Sequence, residues 1–284
     1  MKKTLTVGMA TYDDFDGVFF SIQSIRMFHL NRINEEVEFV VIDNNPDGKH
    51  GSMVKGFVEN WVKGKYIPFT AKKSTSARNE IFKNASGEYT ICIDSHVLIE
   101  NGGIENLLKY YKENPNSKDL ISGPLWYDDL KNYSTHFDPV WRDIMYGIWA
   151  TNKEDYEKGN PFEIPMMGLG LFSCKTSAWQ GFNEKFKGFG AEEGYIHEKF
   201  RRAGGKCICL PKLKWNHRFG RPDGARYPNY VEDRIWNYFI GWLEILKNPE
   251  HEFFKETKRA FSDRMPLSVI DEIFNRAKKE FNFK

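Results

Sequence analysis

The stretch Glu88-Tyr-Thr-Ile-Cys-Ile-Asp-Ser-His96 constrains this chain most. Tyr89 to Ile93 carry β-branched, aromatic or small apolar side chains and no charge. Such a run reads as a central strand covered on both faces. Asp94 and His96 follow two apart, so on a continuing extended chain both point the same way. A carboxylate and an imidazole at a strand end form a mixed oxygen–nitrogen pair. That pair suits a borderline divalent ion such as Mn²⁺, and less so Ca²⁺, which prefers an all-oxygen cage. The competing reading is a polar turn, with Asp94 capping and His96 at the surface.

The segments before it alternate. Residues 4–10 read as a strand ending in the polar loop Thr11-Tyr12-Asp13-Asp14. Asp16 then caps a helix over 17–30, with Val18, Ile22, Ile25 and Phe28 near helical spacing. Residues 37–42 are a second strand that closes on the turn formers Asp43 to Gly48. Helices are predicted over 53–62 and 76–84, with a short strand over 65–69 between them. Strand–helix–strand order with short connections implies an α/β fold, a mostly parallel central sheet flanked by helices. Ligands of such sheets bind beyond the strand carboxyl ends. Thr11, Asp43 and Asp94 all sit at such ends, so one shared cleft is expected.

Further on, a helix (104–111) and a strand (120–122) precede a long region, 123–165, without clear periodicity. It holds Trp126, Tyr133, Phe137, Trp141, Tyr146 and Trp149. Connections of that length are usually functional. The region is either a lid or acceptor-binding insert, or an irregular subdomain whose rings are core. Residues 166–173 are apolar and glycine-rich, which allows close backbone approach to a ligand or marks a bulge. Glu192 and Glu193 fall in the first turn of a predicted helix, where the dipole favours a charged carboxylate. A strand over 206–210 leads towards Trp215-Asn216-His217. Helices over 230–247 and 268–281 close the chain.

Bulk properties exclude more than they assign. A net charge of +2 is too mild to imply nucleic-acid or membrane binding. The four cysteines lack CxxC spacing and fall in apolar runs, so buried thiols are expected. No apolar stretch approaches a membrane span, and the first residues lack a signal-type run, so a cytoplasmic location is expected. The sequence sets no oligomeric state.

In order, these residues resemble a known superfamily. The strand ending in Thr11, the strand ending in Asp43, Ala77-Arg78-Asn79 and the Asp94-Ser95-His96 strand look like the nucleotide-sugar half of GT-A glycosyltransferases. Asp-x-His, in place of the commoner Asp-x-Asp, resembles the polypeptide N-acetylgalactosaminyltransferases (family 27). Met167-Gly-Leu-Gly170-Leu-Phe172 is similar to that family's Met-Ala-Gly-Gly-Leu-Phe. Phe189-Gly-Ala191-Glu192-Glu193 is similar to its Trp-Gly-Gly-Glu motif, and His217-Arg218-Phe219 to its metal-ligand segment. Phe stands for Trp at 189 and Ala for Gly at 191, so that family's acceptor is not carried over. Family 2 is a second relative, with a Glu-Asp pair at the Glu192/Glu193 position that supplies a base for inversion.

The resemblance implies a Rossmann-like GT-A domain over 1–222, with a nucleotide-sugar half (1–122) and an acceptor half (123–222), and a C-terminal helical extension (223–284). It implies a UDP-sugar donor and Mn²⁺ (or Mg²⁺) held by Asp94, His96 and His217. Thr11, Tyr12 and Asp43 are expected to meet uracil and ribose, with Ser95 and Gly170 beside the donor. Arg78 neutralises the diphosphate or holds Asp43. Arg218 and Arg221 lie over the diphosphate. Glu192, or Glu193 in an inverting reaction, is the carboxylate at the sugar. The expected acceptor is a glycan, with hydroxymethylated bases of phage DNA as the alternative. The acidic loop 11–14 argues against a nucleotidyltransferase, and a bare carbohydrate-binding module leaves the ordered metal and acidic motifs unexplained.

Overall fold

A computed structural model of the chain describes residues 3–29, 36–220, 224 and 226–283. Its first third alternates as expected: β1 (Leu5–Thr11), α1 (Phe15–Phe28), β2 (Val37–Asp43), α2 (Gly51–Gly56), β3 (Lys65–Pro68), α3 (Arg78–Asn84), β4 (Tyr89–Asp94), β5 (Val97–Ile99) and α4 (Gly103–Glu113). There follow β6 (Leu120–Ser122), β7 (Leu125–Trp126), β8 (Tyr133–Ser134), β9 (His136–Arg142), β10 (Met145–Ala150), α5 (Lys153–Lys158), β11 (Phe162–Glu163), β12 (Leu171–Lys175), α6 (Glu192–Arg202), β13 (Cys207–Cys209) and β14 (Trp215–His217). Three helices end the chain: α7 (Val231–Leu246), α8 (Glu252–Phe261) and α9 (Leu267–Lys279).

The main sheet has the order β11-β13-β6-β12-β4-β1-β2-β3. Pairings are parallel from β4 through β1 and β2 to β3, and again between β6 and β13. Only β12 and β11 run against the others. At the centre Val7, Met9, Ile91 and Ile93 are all fully buried. Burying a side chain of that size stabilises by roughly 1.5–3 kcal/mol, which makes this pair of strands the anchor for everything at their carboxyl ends.

Several expectations need correction. Asp14, not Asp16, caps α1, its carboxylate accepting from the Gly17 N–H. The segment expected as one helix over 53–62 is a short α-helix that widens into a π-helix over Phe57–Val62. The strand at Asp94 does not continue extended. Ser95 and His96 form a turn that feeds β5. Region 123–165 contains the antiparallel hairpin β9–β10. The rings of Trp141 and Tyr146 pack on Tyr238, Trp242 and Phe253 of the terminal helices, so that part is core. Helix α8 carried no sequence expectation. The boundary drawn at 222/223 falls outside the described residues. Among those described, no helix is long and apolar enough to cross a membrane, and all four cysteines are free and buried.

Candidate active site

Strand register builds the site. Parallel pairing sets Ala10 beside Asp94 and Thr11 beside Asp43. After the Ser95–His96 turn, β5 pairs antiparallel with β14, opposing Val97 to His217. That pairing carries the second histidine to the first across 121 residues of sequence. Gly170 lets the layers close. Its carbonyl accepts from the Asp94 N–H at 2.9 Å. A Cβ there would meet the Trp215 ring at 2.8 Å and the His217 ring at 3.1 Å.

One ligand atom each from Asp94, His96 and His217 lies within 4.8 Å of the others, so the three could hold a metal ion. His96 Nε2 and His217 Nε2 are 3.1 Å apart, and His217 Nε2 is 3.3 Å from Asp94 Oδ2. Ligands bonded at about 2.0–2.2 Å to one first-row ion sit roughly 3 Å from their neighbours, so the donor set fits such a cation. His96 Nδ1 lies 2.7 Å from Asp14 Oδ2. An Nδ1–H donated there leaves a lone pair on Nε2, facing the cluster. Asp14 also accepts from Ser95 Oγ at 3.0 Å and from Arg218 Nη2 at 3.0 Å. Burial works against its charge, but the His96 hydrogen bond and charge, Ser95 and Arg218 together hold it well below the usual carboxylate range.

Arg78 is buried beneath this cluster and joins two carboxylates. Nη2 donates to Asp94 Oδ1 at 2.8 Å and Nη1 to Glu192 Oε1 at 3.3 Å. Burial opposes ionisation of Asp94, yet the Arg78 charge and the His217 hydrogen bond keep it ionised far below the ordinary range. Thr75 Oγ1 also donates to Glu192 Oε1, at 2.8 Å. Glu192 Oε2 is buried and has no partner among the described residues. Burial, then the neighbouring Glu192 charge, pushes the Glu193 carboxyl up. Ala191, ahead of both, has φ +76°, the left-handed region glycine tolerates best. Holding an alanine in that region costs about 1–2 kcal/mol.

Two cavities meet at Asp94 and Arg78. One, of about 680 Å³, is lined by Thr11, Tyr12, Asn44, Lys73, Ser95 and His96. Thr11 Oγ1 has no partner there among the described residues. The other, of about 1180 Å³, is walled by Phe137, Trp149, Gly170, Glu192, Glu193 and His217. Phe189 and Tyr227, in ring contact at 4.7 Å, border both.

The remaining candidates are placed differently from expectation. Asp43 lines neither cavity. It is 1% exposed, and its oxygens accept from the Asn45 N–H and the Tyr66 hydroxyl, each at 2.9 Å. Its neighbour Asn44 faces the cleft instead. Arg78 holds Asp94 and Glu192, not Asp43. Arg218 is tied to Asp14. Arg221 lies outside the described residues. Sequence reasoning missed Asp14, whose acidic loop reads as an ordinary turn, and Thr75, Asn44 and Lys73, which carry no motif.

This sheet order, with its helices on either side, is that of the GT-A fold. The structure of GalNAc-T7 with UDP, GalNAc and Mn²⁺ superimposes with TM-score 0.71 at 16% identity, over 99% of this chain and 55% of that one. A mannosyltransferase, PcManGT of Pyrobaculum calidifontis, solved with GDP-Man and Mn²⁺, gives 0.58 at 14% identity, covering 99% and 75%. TarS of S. aureus, residues 1–349, gives 0.55 at 13% identity, covering 98% and 72%. This chain thus spans little more than half of GalNAc-T7. No curated protein sequence matches it. The profile of glycosyl transferase family 2 matches residues 6–173, more than half of the chain, and the chain belongs to that family.

Proposed function

We propose that this glycosyltransferase moves a sugar from a UDP-sugar to a saccharide hydroxyl, with Mn²⁺ (or Mg²⁺) and with retention of configuration. The observation that carries this reading is the position of the Asp94, His96 and His217 donors at the meeting of the two cavities. A divalent ion held there supplies positive charge at the leaving diphosphate. The smaller cavity takes the nucleoside, with the unpartnered Thr11 hydroxyl turned to it. The larger takes the transferred sugar and the acceptor against Trp149, whose flat apolar ring suits a sugar face and is backed by the buried Phe137. Arg78 and Thr75 tether one oxygen of Glu192, leaving the other to orient a sugar hydroxyl. GalNAc-T7 with UDP and Mn²⁺ and PcManGT with GDP-Man and Mn²⁺ lend the donor class support.

A second reading is inversion with Glu193 as base. The upward push on its carboxyl favours it, since a base works best when its pKa lies near the working pH. A panel of UDP-sugars incubated with Mn²⁺ tests both readings. Release of UDP is expected with metal and not with chelator, and proton NMR should show donor and product with one anomeric configuration. Turnover indifferent to metal sinks the metal-dependent mechanism, and an inverted product selects Glu193.

Asp14 enters through His96. Asp14→Asn is expected to weaken Mn²⁺ affinity about 10–100-fold, the usual cost of losing an outer partner of a ligating histidine. Titration calorimetry with UDP present measures it, and unchanged affinity removes Asp14 from the design.

A further inference from the structure

Helix α7 lies beside the turn that delivers Glu192 and Glu193, and one of its side chains bonds to that turn. Asn237 is 0% exposed. Its Oδ1 accepts from the Lys187 N–H at 2.8 Å. Its Nδ2 donates to the Lys187 carbonyl at 2.7 Å and to the Gly190 carbonyl at 3.1 Å. One N–H and two carbonyls thus fix which way the amide faces. Bonded to both backbone groups of Lys187, it stands in for a neighbouring strand. The residues it brackets include Phe189, which borders both cavities.

The turn has little conformational preference of its own. Of residues 188–191, three hold positive φ: Gly188 at +47°, Gly190 at +102° and Ala191 at +76°. Two are glycines, which an unfolded chain leaves free in either half of φ space. What the turn is bonded to therefore sets its shape. One edge is taken by a bridge between Ser74 and Gly188, with the Thr75 N–H on the Gly188 carbonyl at 3.0 Å. Asn237 takes the other. A Cβ at Gly190 would meet Arg234 Nε at 2.7 Å, so the turn rests directly on α7. The same helix holds α6 beyond the turn. Glu244 accepts from the Tyr195 hydroxyl at 2.7 Å and pairs with Lys199 at 3.0 Å. Helix α7 thus grips the chain both before Glu192 and after it.

We propose that Asn237 is a positioning residue for sugar transfer, fixing the 187–191 turn and through it the places of Phe189 and the Glu192 carboxylate. The proposal rests on the role given to Glu192 above. The metal donors belong to β4, to the Ser95–His96 turn and to β14, so Asn237 acts on the larger chamber and not on the cation.

Asn237→Asp keeps the side-chain shape and the bond from the Lys187 N–H, but turns a carboxylate on two carbonyls. Asn237→Ala removes all three bonds. Each should lower kcat for UDP release from the UDP-sugar panel about 100-fold, the cost of a misplacement of about 1 Å. Donor KM and UDP–Mn²⁺ affinity should stay at the wild-type values. Phe239→Leu is the control. That ring, 0% exposed, packs on Phe274 of α9 at 4.8 Å. Its loss should lower the melting temperature and leave kcat unchanged, whereas a merely structural Asn237 would behave the same way. Hydrogen exchange followed by NMR needs no turnover. In the wild-type protein the Lys187 amide should exchange as slowly as those of β4, and about 10-fold faster in Asn237→Ala. Wild-type kcat in both Asn237 variants, an equal fall in kcat in Phe239→Leu, or a Lys187 amide that exchanges at an open-loop rate overturns the proposal. Absence of turnover by the wild type with every UDP-sugar fails the donor reading alone, and the Lys187 amide still decides for or against the Asn237 clamp.

Discussion

Replacing His217 with alanine is expected to abolish Mn²⁺-dependent UDP binding while leaving the protein folded. The side chain is 8% exposed, and its Nε2 lies 3.1 Å from His96 Nε2 and 3.3 Å from Asp94 Oδ2. Its other ring nitrogen, Nδ1, is buried without a partner among the described residues. Losing one donor of three should cost more than the 100-fold or so that marks the upper range for an outer partner. His96→Ala should behave alike, although it also removes one of the partners of Asp14, which keeps Ser95 and Arg218. Calorimetric titration of Mn²⁺ with UDP, alongside a melting curve, separates lost ligation from lost fold. Metal-dependent UDP binding that survives undiminished in both variants removes the three residues from the site.

Arg78→Met is expected to strike the fold itself. One guanidinium, 5% exposed, holds both Asp94 and Glu192. Breaking a buried pair by deleting one partner costs about 3–5 kcal/mol, because the orphaned charge stays buried. For a chain of this size that is a fall in melting temperature of about 10 °C. The sign with pH follows from Asp94. Its folded-state pKa is depressed, so its pairing stabilises above the ordinary carboxylate range and is lost as pH falls through the folded value. The gap between wild type and variant should therefore be widest near neutrality and narrow in strong acid. Arg78→Lys, which keeps the charge and loses the fork, should recover part of the loss. A melting temperature within about 2 °C of wild type for Arg78→Met means the two carboxylates do not depend on it.

The sheet was legible because its strands are written as mostly apolar, β-branched and aromatic runs, broken in β2 only by Glu38. Residues 37–42 and 89–93 are short, β-branched runs that fit a doubly covered sheet, and the structure places β2 and β4 there. What eluded the sequence was decided by side-chain partnership. Asp14 and Asp16 are equally good caps on paper; the turn at Ser95–His96 brings Ser95 Oγ and His96 Nδ1 to Asp14. Asp43 looked free for a ligand at a strand end, but Tyr66, 23 residues on, and the Asn45 N–H already occupy it. Period alone could not separate an α-helix from the π-helix at Phe57–Val62. The hairpin β9–β10 hid because its outward face is partly covered by helices from the far end of the chain, which erases the usual alternation.

The pairing of β5 with β14 also bears on how the molecule matures. Bringing ends 121 residues apart together costs about 4 kcal/mol of chain entropy, recovered only when the intervening layers have packed. A nascent polypeptide released before residue 217 would own two of the three donors and lack the last. Competence therefore arrives late, with the docking of one three-residue strand, and an unfinished copy has little means of sequestering a cation by mistake.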